Sequence, residues 1–289
     1  MKLRKAVILT AGYGTRLLPA TKAVPKEALP LVDKPIIQYA VEEAAASGLE
    51  QIIIVTSSGK QAVEDHFDRS PQLEQALAAK GDTKRLEELR SISRLANIAY
   101  VRQHEQLGIG DAVLTTKELV GDEPFVLFFP DDVIVSDVPA AKQAIAAFEA
   151  HGGSVLAVEE VAPEDVQSYG IIDGEAIGEG AYRVRSVVEK PKPEDAPSNL
   201  AIVGRYVLTP QIFDALAETA PGAAGEIQLT DGISILLKSQ PVFAYRFQGQ
   251  RYDTGRPLGL LKASVGIALQ RPDLGPPLRR YLRTLDLDG

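Results

Sequence analysis

Lys5-Ala-Val-Ile-Leu-Thr10 is an apolar run of strand length that passes directly into glycines at 12 and 14 and then, beyond a proline-rich loop, into a segment of helical spacing from Pro35 to Ala46. That order leaves few folds open, because proline in a first turn marks a helix start and a nearly continuous apolar strand needs cover on both faces. Gln51-Ile-Ile-Ile-Val55 and Phe125-Val-Leu-Phe-Phe129 are further strands of this kind. Between them, Asp65 to Ala96 is charged and helix-prone, and Ile98-Ala-Tyr-Val-Arg102 is another strand candidate. The alternation predicts an α/β fold with an open, mostly parallel central sheet flanked by helices.

After about residue 150 the pattern shifts to strands at Ser154–Val158, Val184–Val188 and Leu200–Leu208 with glycine-rich turns, which predicts a smaller mixed or antiparallel portion. Helices are expected over Pro210–Ala217, Glu226–Lys238 and Pro257–Leu269, with a strand near Val242–Phe247. Pro272 and Gly275-Pro276-Pro277 break the pattern. The expected organisation is a single domain over 1–271, with halves at about 1–150 and 151–271, and a C-terminal tail over 272–289.

The 31 basic and 39 acidic residues give a net charge of -8, the wrong sign for wrapping nucleic acid through its phosphates. No apolar run reaches membrane-spanning length and the N-terminus carries no signal pattern, so a cytoplasmic protein without membrane contact is expected. Cysteine is absent, which excludes disulfides and thiolate chemistry, and the three histidines lie too far apart for a metal-ligand spacing.

The stretch from Leu9 to Pro30 carries the strongest chemical signal. Glycines straight after a first strand let backbone amides approach a polyphosphate, and Arg16 and Lys26 supply cations. Leu17 stands where a dinucleotide fingerprint wants a third glycine, and Gly59-Lys60 is followed by Gln61, so neither that fingerprint nor a P-loop is present. Gly12 and Gly14 alone would mark a turn; with Thr15, Arg16, Pro25, Lys26 and Glu27 they become specific.

With these residues the sequence resembles the sugar nucleotidyltransferase family, and within it the bacterial UTP:glucose-1-phosphate uridylyltransferases. The matching segments include Ala11–Arg16, Leu18–Lys22, Pro25–Glu27, Leu31–Pro35, Val101–Gln103, Gly108 and Gly110, Pro130-Asp131, Val188–Pro191, Asn199–Tyr206, Glu226–Asp231 and Asp253–Gly255. The resemblance implies a Rossmann-like sheet of the nucleotide-diphospho-sugar transferase type and a homodimer or homotetramer. The implied reaction is attack by glucose 1-phosphate on the α-phosphorus of UTP, giving UDP-glucose and pyrophosphate. The attacking phosphate is already ionised, so cationic screening and in-line placement are needed rather than a general base.

The resemblance also implies roles. Arg16 would hold the leaving phosphates, Lys26 the α-phosphate and Lys190 the sugar phosphate. Asp131 and Asp253 would share Mg²⁺, which takes one or two protein carboxylates. Ala11, Gly12, Gly14, Thr15, Glu27, Gln103, Gly108 and Asp132 fall on the nucleotide and Glu189 on the sugar, whose ring Gly170 and Val203 would approach through their backbones. Asp132, as a residue, reads equally as a supporting group or a solvated one. Leu107 and Asp111 stand where these enzymes commonly carry Lys and His, and Leu9-Thr10 replaces Pro-Val; these departures bear on the choice of base. Two other readings stay open: a thymidylyltransferase using dTTP, and a non-catalytic nucleotide-sugar sensor.

Overall fold

The computed structural model describes residues 3–222 and 225–286. Its centre is a nine-stranded mixed sheet in the order Asn97–Arg102, Gln51–Thr56, Lys5–Leu9, Phe125–Phe128, Leu200–Leu208, Ser154–Glu160, Val242–Arg246, Ala181–Glu189 and Gly170–Gly178. The first four strands are parallel. Leu200–Leu208 then inserts antiparallel to both its neighbours, Val242–Arg246 returns parallel to Ser154–Glu160, and the last two strands are antiparallel. The expected change of character after residue 150 is therefore a change in strand direction.

Strand alternation divides the core between two faces. Val7, Val55, Phe125 and Leu127 pack on one side with Phe213, Leu216 and Ile233. Ala6, Ile8, Ile54, Val126 and Phe128 pack on the other with Ile37, Val41, Ala44 and Ala144. All nine residues of Leu200–Leu208 are buried, as befits a central strand covered on both faces.

The helix after the glycine loop is Ile36–Ala46, and Asp65 to Ala96 contributes most of three helices, Gln61–Phe67, Pro71–Ala79 and Thr83–Ile92. Glu74 links this group by accepting hydrogen bonds from Arg69 and Arg90. The helix expected from Glu226 begins at Leu229. Among the described residues five strands escaped the sequence reading: Gly170–Gly178, the antiparallel pair Asp132–Val135 with Gln250–Asp253, and the two-residue pair Pro30–Leu31 with Lys34–Pro35. The expected tail is also corrected in part, because Gly275–Leu282 is a helix. Its prolines sit in the first turn, where a missing N–H costs nothing. Among the described residues no helix is long and apolar enough to cross a membrane.

Candidate active site

A cleft of about 740 Å³ opens where the strands ending at Leu9, Arg102 and Phe128 reach their carboxyl ends, the usual ligand position of an open α/β sheet. It is lined by every site residue expected from the sequence except Val203. Val203 is buried against Ala140, Ala157 and Phe247 on the opposite face of its strand, while Ile202 and Gly204 reach the cleft. The period of two decides this, and nine buried residues in succession gave no alternation from which to read it.

The glycine loop forms one wall. Gly14 adopts φ 69°, a left-handed conformation that suits glycine, and its carbonyl accepts from the Thr21 hydroxyl at 2.8 Å. Lys60 braces the loop from behind, donating to the Gly12 carbonyl at 2.6 Å and to Glu27 at 2.8 Å. Glu27 is 1% exposed, and among the described residues its Oε1 has no partner; burial pushes its carboxyl above the usual range against the pull of Lys60 and Lys26. The carboxylate expected on the nucleotide thus faces a lysine that the sequence reading had set aside.

Asp131 follows the strand Phe125–Phe128. Lys26 Nζ lies 2.6 Å from its Oδ2 and the Arg16 guanidinium 3.8 Å. Burial opposes charge on Asp131 and Lys26 alike, but their attraction more than offsets it, holding the carboxyl below its ordinary value and the ammonium above. Asp253 arrives through strand pairing: it stands opposite Asp132 in the pair Asp132–Val135 with Gln250–Asp253, and Thr254 donates twice to the Asp131 carbonyl, each at 2.8 Å. The two carboxylates converge at Gly255. A Cβ there would lie 2.8 Å from Arg16, 2.9 Å from Asp131 Oδ2 and 3.1 Å from Asp253 Oδ1, so a side chain at 255 would displace these charged groups.

Among the described residues no set of three or more His, Asp or Glu side chains has metal-binding geometry. Two hard carboxylate oxygens at one point fit a cation that completes its shell with water and phosphate oxygens, and do not fit an all-protein cage.

Asp132 has a different setting. Its Oδ1 accepts from Arg251 at 2.6 Å and its Oδ2 from the Gly204 amide at 2.8 Å. Burial pushes its carboxyl up despite Arg251, and the neighbouring Asp131 adds to the rise. Asp132 borders the cleft as expected, and its two oxygens also brace the wall through Arg251 and Gly204. Arg251 also bonds Glu159 and the Tyr169 hydroxyl, and so reaches the far wall. Behind it, Arg205 is 1% exposed and uses every N–H, on Glu43 and on the carbonyls of Phe129, Gly204 and Asp132.

The far wall carries Gly170, Glu189 and Lys190. Lys190 takes φ 45°, unusual for a side-chain-bearing residue, and its amide donates to the Tyr169 carbonyl at 2.9 Å. Its ammonium lies 2.8 Å from Glu189 Oε1, while Thr230 donates to Glu189 Oε2 at 2.6 Å. Gln103, 3% exposed, lies on the side of the cleft formed by the parallel strands. Arg251, Tyr169 and Thr230 were missed in the sequence because nothing local distinguishes them, and Lys60 was set aside with the absent P-loop; each acts on a partner far along the chain.

Residues 5–270 match the nucleotidyl transferase family. A UTP–glucose-1-phosphate uridylyltransferase of Staphylococcus epidermidis is 51% identical over 286 residues, covering 99% of each chain. A uridylyltransferase of the same description from Bacillus subtilis is 50% identical, covering 97% of this chain and 95% of its own. Among solved structures, a UDP-glucose pyrophosphorylase complexed with UDP-glucose is 45% identical with a TM-score of 0.85 over 93% of this chain and 100% of its own. A UTP-bound UGPase from Acinetobacter baumannii is 39% identical with a TM-score of 0.92 over 99% of this chain and 100% of its own. A match running from the first strand to the helix Pro257–Gln270, with about half the residues shared with such enzymes, leaves one conclusion: the chain belongs to the nucleotidyl transferase family.

Proposed function

We infer that this protein transfers the uridylyl group of UTP to glucose 1-phosphate, producing UDP-glucose and pyrophosphate. The observation that carries the reading is the convergence of Arg16, Lys26, Asp131 and Asp253 beside a glycine loop, in a chain half identical to uridylyltransferases along almost its whole length. An oxygen of the sugar phosphate forms the new bond to the α-phosphorus as the bond to the β-phosphate bridging oxygen breaks, and the electron pair leaves with pyrophosphate. No proton need move, because the attacking phosphate oxygen is already ionised.

The residues divide the work by position. Arg16, more than half exposed at the loop, meets the leaving phosphates; Lys26, held rigidly by Asp131, meets the α-phosphate. Lys190 on the far wall attracts the incoming phosphate, and Glu189, already fixed by Thr230, accepts from sugar hydroxyls. Ala11, Gly12, Gly14, Thr15 and Gly108 approach the nucleotide, and Gly170 approaches the sugar ring. Asp131 and Asp253 would hold a divalent cation, with Mg²⁺ the choice their chemistry favours; it would supply charge neutralisation on the phosphates. A cytoplasmic homo-oligomer, with residues 1–150 and 151–271 as halves of one domain, completes the proposal.

The thymidylyltransferase reading has weaker support, since a structure described as a putative enzyme of that kind from Bacillus anthracis is 21% identical and speaks only to the fold. Side-by-side kcat/KM for UTP and dTTP with glucose 1-phosphate tests the inference. UTP should be preferred, and a preference for dTTP would overturn it.

A further inference from the structure

Gln103 follows the strand Asn97–Arg102, and its backbone amide donates to the Thr56 carbonyl at 2.9 Å, extending the parallel ladder into the cleft. Its side-chain Nε2 donates to Asp111 Oδ2 at 2.7 Å and to the Gly108 carbonyl at 3.1 Å. Neither partner can donate, so the amide has one sensible orientation: the NH₂ group turned toward the helix Ile109–Leu114 and Oε1 turned away from it. Among the described residues nothing donates to Oε1, and it is not sealed from solvent.

The Gly108 carbonyl is itself fixed. Ile227 donates to the Leu107 carbonyl at 2.7 Å and accepts from the Gly110 amide at 2.8 Å. A Cβ on Gly108 would come within 2.7 Å of the Ile227 carbonyl. Asp111 does not line the cleft, so it acts only through Gln103.

We propose that Asp111 is a positioning residue that sets the polarity of base recognition: by locking the Gln103 amide it presents an acceptor, Oε1, to the nucleobase. This rests on the uridylyl-transfer reading and extends it to the basis of the base preference. An acceptor pairs with the N3–H of uracil and meets a lone pair at N3 of cytosine. Thymine has the same N3–H as uracil, so the device separates imide pyrimidines from cytosine and leaves the methyl group unread. A site built around a hydrogen bond discriminates through the group left unpaired by the wrong ligand.

The test is kcat/KM for UTP, dTTP and CTP with glucose 1-phosphate in wild type, Asp111→Ala and Asp111→Asn. Asp111→Ala should lower the UTP/CTP ratio by about tenfold or more while leaving UTP/dTTP unchanged. Asp111→Asn, whose side-chain oxygen still accepts from Nε2, should keep both ratios within about threefold of wild type. If Asp111→Ala does not fold, Asp111→Leu carries the same expectation. The proposal is overturned if the acceptor-free variant keeps the UTP/CTP ratio, if UTP/dTTP moves with it, or if Asp111→Asn is as unselective as Asp111→Ala. A wild-type enzyme inactive with UTP would instead defeat the functional reading.

Discussion

Two groups of charges meet at residues 129–132 and are treated differently by the fold. On the cleft side, Arg16 is 55% exposed, and Lys26, Asp131 and Asp253 keep partial access to water. On the other side, Arg205 with Glu43 and Arg251 with Asp132 are nearly sealed, and their polar atoms are matched with acceptors and donors on the backbone. Sealing charges is expensive unless every hydrogen bond is made, and this second group makes them. It fixes the backbone from Phe129 to Asp132; the first group keeps lone pairs and N–H groups free for phosphates. The cluster proposed to be catalytic and the structural one thus differ in spare hydrogen-bonding capacity more than in charge.

Variants on either side can break that distinction. Asp131→Asn should cut turnover on the order of a thousandfold with the far-UV circular dichroism unchanged. Activity near wild type would remove Asp131 from the chemistry. Arg205→Met should show the reverse: the folded fraction keeps its kcat, but chemical denaturation should reveal a loss of about 3–5 kcal/mol, because Glu43 is left buried without its partner. A wild-type midpoint would mean the sealed cluster is not structural. Arg16→Ala should cost about a hundredfold in kcat/KM with little change in melting temperature.

The smallest effect concerns a charge cluster remote from both. Hydrogen bonds from Arg69 and Arg90 hold the Glu74 carboxyl down to about 2, from an ordinary value of 4.5. A depressed carboxyl pKa adds stability above the unfolded value, and that contribution is lost as pH falls from 4.5 toward 2. The melting-temperature gap between wild type and Glu74→Gln should therefore close over that window. A gap independent of pH would show that packing, not ionisation, is what the substitution removes.

Much of the sheet was legible because Lys5–Leu9, Gln51–Thr56 and Phe125–Phe128 are covered on both faces and read as unbroken apolar runs. Gly170–Gly178 was missed because it carries three glycines and buries only Ile171 and Ile172. The pair Asp132–Val135 with Gln250–Asp253 was missed because short strands acquire meaning only through each other. The same physics governs the site. Arg16 and Lys26 stood out because they accompany the glycines after the first strand, whereas Asp131 and Asp253 were reached through the family resemblance. The opposite facing of Val203 and the bracing by Lys60, Arg205 and Arg251 depend on contacts between distant segments, which local pattern does not encode.

The insertion of Leu200–Leu208 beside Phe125–Phe128 has a consequence for how the molecule is made. During synthesis the first half can assemble its parallel strands, yet Phe125-Val-Leu-Phe128 remains an open, wholly apolar border until Leu208 has left the ribosome. Such a border is a template for pairing with another nascent chain. The central strand therefore completes the cleft and also ends the interval in which this protein is most prone to aggregate.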